Sequence, residues 1–212
     1  MDTCSPEQKR ARKLQESARE VMTSEKSFLG VLKLICVEFR THVESLEQEF
    51  KVIPPKEFAV FFKHLPQMVT VSEDMLRDFE DRIQHWEHLP KIADVFVKKG
   101  HFLKIHKTYI DDFENMTNHY TKCCEEFPYF KKVVAEFEKS KCRNLRLTDH
   151  MLTGAKRVMQ YKMMLENYMK YLSEDSIDFD DTTVALKIVS DAADHCNNSL
   201  FAGVGFLVCV LV

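Results

Sequence analysis

Chain breakers are scarce in this 212-residue sequence, which holds only 5 glycines and 6 prolines. The prolines stand at 6, 54, 55, 66, 90 and 128, so residues 7–53 and 129–212 run without one. Together with the lack of strand-like alternation, hairpin turns or internal repeats, this excludes a sheet protein and predicts an all-α bundle of long helices. No apolar tract reaches the roughly 20 residues that a membrane-spanning helix needs. The longest, Leu200–Val212, is 13 residues long. Charge of one sign is missing as well. The formal net charge is −3, with basic residues interspersed among acidic ones, so no nucleic-acid partner is expected.

Catalytic and metal motifs are equally absent. There is no phosphate-cradling glycine loop, nucleophile elbow, H-E-x-x-H or dinucleotide fingerprint, so neither covalent chemistry nor a cofactor is expected. The 7 cysteines form no C-x-x-C pair and no zinc-ligand spacing. His85 and His88 share a helix face with Asp81, but a bundle metal site calls for Glu-x-x-His on separate helices, and no metal is expected. An odd cysteine count behind the polar start "MDTCSPEQKRARK" predicts reduced thiols and a cytoplasmic protein.

What is present is helix. "SPEQ" offers Ser5 as an N-cap, Pro6 at the first helical position and Gln8 to complete a capping box. Leu14, Ala18, Val21, Phe28, Leu32, Ile35, Phe39 and Leu46 continue as the stripe of one amphipathic helix to about Phe50. Further helices are predicted over 56–64, 67–88, 91–100, 101–126, 129–139, 145–173 and from Phe179 onward, with the acidic run "DFDDTT" capping the last. Residues 1–8 read as a lead, 9–200 as the domain and 201–212 as an apolar tail with at most weak membrane contact.

Position 25 breaks the first stripe. Periodicity asks for an apolar side chain there, and the sequence supplies Glu25. A carboxylate at such a place is either paired internally or at a rim, or held open for a partner.

Three blocks go further. "AREVMTSEKSFLGVLKLI", "IADVFVKKGHFLKIHKTYIDDFENM" and "LRLTDHMLTGAKRVMQYKMMLENYMKYL" resemble, in order and spacing, the three conserved blocks of Dbl-homology domains, the RhoGEF domains. Among subfamilies the chain is most similar to the FYVE, RhoGEF and PH-domain (faciogenital dysplasia) group, whose third block carries a Gln-Tyr pair matching Gln160 and Tyr161. The resemblance implies an elongated helical bundle that exchanges guanine nucleotide on a Rho-family GTPase, with the Cdc-type branch favoured and a role at the actin cytoskeleton. It also implies a binding face on which Glu25 meets switch I, Asn197 meets switch II and Gln160 adds a hydrogen bond. Lys156, Arg157 and Tyr161 support that face from the third-block helix. Such a face requires Glu25 to share one open surface with Gln160 and Asn197; burial against an internal cation would contradict it.

Two departures from the family pattern leave an alternative open, a non-catalytic Dbl-homology interaction module. Thr153, Gly154, Ala155 and Lys156 replace the usual Lys-Pro-hydrophobic-Gln before Arg157. Gly154, in a helix interior, reads either as drift or as an adapted kink. The PH and FYVE modules usual in that subfamily do not follow within the sequence.

Overall fold

The computed structural model describes residues 5–203. Ser5 opens α1 (Pro6–Lys33) as expected: its hydroxyl accepts from the Gln8 N–H at 3.2 Å, while the Gln8 carbonyl Oε1 accepts from the Ser5 N–H at 2.9 Å. The helix passes through a π-helical turn (Leu34–Phe39) into α2 (Arg40–Phe50), which ends at Lys51 in the left-handed region. Pro54 and Pro55 start the short α3 (Pro55–Ala59), which tightens into a 3-10 turn (Val60–Phe62). The remaining helices are α4 (Leu65–Gln84), α5 (Ala93–Lys98), α6 (Phe102–Asp111), α7 (Phe113–Glu126), α8 (Pro128–Lys141), α9 (Leu147–Met169) and α10 (Phe179–Gly203). All-α is the observed class.

The single helix predicted over 101–126 is two. Its break lies at Asp112, whose carboxylate accepts from Lys63 Nζ and bonds His64 Nε2, both at 2.9 Å. That long-range tie, invisible to periodicity, pins the α6–α7 joint to the turn before α4. Conversely, α9 runs unbroken through Gly154. Gly154 instead lets another chain segment come close. A Cβ at this position would lie 3.0 Å from Cε1 of Tyr109, whose hydroxyl donates to the Met151 carbonyl at 2.9 Å.

One end of the bundle is phenylalanine-rich. Phe39, Phe58, Phe61, Phe62, Phe130 and Phe137 are all buried there, with edge-on contacts such as Phe58–Phe62 at 4.9 Å and Phe39–Phe137 at 5.1 Å. Rings that meet edge to face add electrostatic attraction to burial. At the other end, α9 packs against α1, α6 and α10, and α10 also covers α5 and α6. The first carboxylate of the acidic run, just before α10, caps a different helix. Asp178 is fully buried, and its Oδ2 accepts from the Ile92 and Ala93 N–H groups at 2.7 and 3.0 Å, capping α5 from 86 residues away. Within the described residues no helix is long and apolar enough to cross a membrane. Residues 201–203 continue α10, and the rest of the expected apolar tail lies outside the described residues.

Candidate functional site

The three helices that carry the sequence-predicted site residues lie side by side. Helix α9 occupies the middle, with one flank against α1 and the other against α10. Helical spacing sorts its side chains. Arg157, Tyr161, Leu165 and Tyr168 point inward and are buried, while Met163, Glu166 and Lys170 point outward. Met163 is 68% exposed, the most open large apolar side chain described.

Glu25 is fully buried against an internal cation, which overturns the expectation that Glu25, Gln160 and Asn197 share one open surface. Its Oε2 accepts from Arg157 Nη2 and from the Tyr161 hydroxyl, each at 2.6 Å, and its Oε1 accepts from the Ser72 hydroxyl on α4. Arg157, itself only 1% exposed, also donates from Nη1 to Ser24 Oγ at 2.7 Å and to Gln160 Oε1 at 3.2 Å. Its guanidinium lies over the rings of Phe28 and Tyr161, with centroid distances of 4.9 and 4.3 Å. The position that breaks the α1 stripe is therefore filled by an internally paired carboxylate. The stripe tolerates the charge because α9 delivers a matching cation to it.

Electrostatics follow from the packing. Burial opposes the Arg157 charge most strongly, but Tyr161 and Glu25 outweigh it and hold the guanidinium above its usual value. Burial, and then the Glu25 carboxylate, push the Tyr161 phenol well up, so it stays a donor. Beneath Tyr161, burial and the Arg157 cation bring His106 down to about 3, leaving a neutral imidazole. The cluster carries one net ion pair and no spare charge.

The other expected residues stay near the surface. Gln160 is half-buried and lines a groove of about 700 Å³ between α1 and α9, together with Glu20, Ser24, Met163, Asn167 and Lys170. Asn197 is exposed on α10. On the same flank of that helix, Asp194 meets Lys162 of α9 at 3.7 Å. Lys156 is half-buried on the outer side of α9. Glu25, Arg157, Tyr161 and Gln160 thus form one bonded cluster. No described hydrogen bond joins Asn197 to it. Sequence reasoning missed Ser24 and Ser72 and read Phe28 only as a stripe residue; Ser24 adjoins Glu25 and Phe28 follows it by one turn, whereas nothing in the sequence ties Ser72 of α4 to that carboxylate.

The RhoGEF domain family model matches residues 17–197, from the α1 stripe to Asn197. The chain belongs to the RhoGEF domain family. This RhoGEF domain is 38% identical over 197 residues to FYVE, RhoGEF and PH domain-containing protein 6 of Homo sapiens, covering 92% of the chain and 14% of that protein. It is 32% identical over 191 residues to protein 4 of the same group in Homo sapiens, covering 89% and 25%. The chain therefore spans a small part of the curated relatives it matches. Among solved structures, the DH domain of FARP2 superposes with a TM-score of 0.78 at 22% identity, covering 88% of each chain. The PDZ-RhoGEF DH/PH domains, solved in complex with GTP-gamma-S-activated RhoA, superpose with a TM-score of 0.74 at 17% identity, covering 90% of this chain and 54% of that one. These likenesses establish the Dbl-homology fold.

Proposed function

We propose that this RhoGEF domain binds a Rho-family GTPase, with the Cdc-type branch favoured, across the outer face of α1, α9 and α10, and promotes nucleotide release. The observation that carries this is an exposed methionine, Met163, at the centre of the α9 ridge. It borders the Gln160 groove, and Asn197 is exposed on the neighbouring α10, within residues 17–197 that match the family. An open apolar side chain ringed by polar ones is the usual anatomy of a docking centre. A structural relative of the same fold is itself solved in complex with RhoA.

In this scheme the half-buried amide of Gln160 at the groove and the exposed amide of Asn197 make the direct contacts, and Glu25 serves as a positioning residue. It holds Arg157, and Arg157 in turn holds the Gln160 amide at the rim. Exchange is a matter of differential binding: nucleotide and exchange factor each weaken the other's affinity. Moving a GTPase from almost wholly GDP-bound to almost wholly free takes about 5.5 kcal/mol. Freeing Glu25 from a buried pair to reach switch I would cost about 3–5 kcal/mol, which makes direct contact an inefficient route.

A second reading is docking without release, and the Glu25–Arg157 lock favours it. Mixing the purified chain with GDP-loaded Rho GTPases and following release of a fluorescent nucleotide separates the two. Accelerated release that falls in Gln160→Ala and Asn197→Ala supports exchange on this face. Complex formation without acceleration supports the docking module. Acceleration untouched by both substitutions rules the face out.

A further inference from the structure

Outside the α1–α9–α10 face, Glu57 of α3 and His119 and Cys123 of α7 bring three metal-ligating groups together, with a donor atom from each within 4.8 Å of the others. We infer that Glu57, His119 and Cys123 form a binding site for a borderline divalent cation of the Zn²⁺ class, which clamps the α3 turn onto α7.

The donor set and its spacing both point that way. His119 and Cys123 are four residues apart on α7, so their side chains share one face. Thiolate, imidazole and carboxylate together are the ligands that zinc takes. Tetrahedral Zn²⁺, with its usual bond lengths, separates a nitrogen from a sulfur by about 3.5 Å and from an oxygen by about 3.4 Å. Here His119 Nε2 lies 3.5 Å from Cys123 Sγ and 3.4 Å from Glu57 Oε2. Two of the three donor separations thus match tetrahedral coordination and the third lies within 4.8 Å, with water as the fourth ligand.

A cation fits the arrangement around His119. Three electron-rich atoms surround Nε2: the Glu57 carbonyl oxygen at 3.0 Å, which also accepts from the Val60 N–H, the Glu57 carboxylate and the Cys123 sulfur. A neutral imidazole offers at most one proton there. A cation bound at Nε2 would draw the carboxylate and the thiolate in together, with the ring proton moved to Nδ1. Cys123 is buried and the Phe61 ring stands 5.3 Å from His119, while Glu57 is half open to solvent and leaves a path of entry. On binding, the thiol proton leaves to solvent and a Zn–S bond forms, with no change of oxidation state.

The full chain, reduced and stripped with a chelator, is titrated with ZnCl₂ against a chromogenic chelator and separately with CoCl₂ under visible and near-ultraviolet spectroscopy. Expected are one tight Zn²⁺ per chain and, with Co²⁺, tetrahedral d–d bands with a thiolate-to-cobalt charge-transfer band. Cys123→Ala and His119→Ala should abolish that band, and Cys124→Ala should leave it. Glu57→Gln, at a half-exposed position where folding is not at stake, should weaken Zn²⁺ by about tenfold or more. No Zn²⁺ binding, a cobalt spectrum without the thiolate band, or affinity unchanged in Glu57→Gln would overturn the site.

Discussion

The carboxylate of Glu25 and the guanidinium of Arg157 meet at 2.6 Å in the interior, across 132 residues of sequence, with both side chains closed to solvent. Around this pair the Tyr161 and Ser72 hydroxyls also donate to the carboxylate, and Ser24 and Gln160 accept from Arg157 Nη1. A buried pair tolerates the loss of neither partner, because the survivor is left charged in a medium that cannot solvate it.

Glu25→Ala and Arg157→Ala are each expected to destabilise the domain by about 3–5 kcal/mol in urea denaturation. Replacing both at once, Glu25→Leu with Arg157→Met, should recover most of that loss. A double mutant no better than the singles would show that the pair matters through its hydrogen bonds to Tyr161 and Ser72 rather than through its charges.

Loss of nucleotide exchange in Glu25→Ala is therefore expected to come with loss of fold stability. Met163→Glu, on an exposed side chain, should leave the urea midpoint within about 0.5 kcal/mol of the parent and still abolish GTPase binding in a pull-down. Binding that survives Met163→Glu would move the docking face away from α9.

Asp178 gives the domain a pH signature. Burial raises it from an ordinary 3.8 to about 6, against the pull of the Ala93 and Ile92 N–H groups and the Tyr168 hydroxyl. With the folded value above the unfolded one, the folded state keeps the proton longer. The contribution to stability is full below about pH 4 and is lost as pH rises through about 6, by up to about 3 kcal/mol. The stability of the parent relative to Asp178→Asn should accordingly fall between about pH 4 and pH 7. A difference independent of pH would mean that Asp178 is ionised throughout.

Asp94 works with the opposite sign. Burial opposes its charge, but hydrogen bonds from Arg82 and Lys98 prevail and bring it down to about 2. Its contribution is present above the unfolded value and lost as pH falls towards about 2. Arg82→Met, which leaves Lys98 in place, should reduce that acid-side loss, and an unchanged acid limb would assign it to other carboxylates.

Gly154→Ala sets helix propensity against packing. The substitution gains about 0.5–1 kcal/mol in the helix, but its Cβ would press on a Tyr109 ring fixed through Met151. Overpacking of this kind costs about 1–3 kcal/mol, so a net loss near 1 kcal/mol is expected. The same change in a Tyr109→Leu background should instead stabilise. Stabilisation in the parent would show that the Tyr109 ring yields easily.

The helices, the Ser5 capping box, the unbroken span of α9 and the three family blocks were all determined by the sequence itself, because periodicity and caps act within one or two turns of the residues that encode them. The anomaly at position 25 was visible there too, as a carboxylate in an apolar stripe. Its answer was not. That Arg157 meets Glu25, that Asp178 caps α5, that Asp112 splits 101–126 and that Glu57 joins His119 and Cys123 depend on segments tens of residues apart being packed together. Burial then supplies the energetic force, since removing water is what makes a charge or a lone donor demand a partner. Only the tertiary structure could decide which partner each one found.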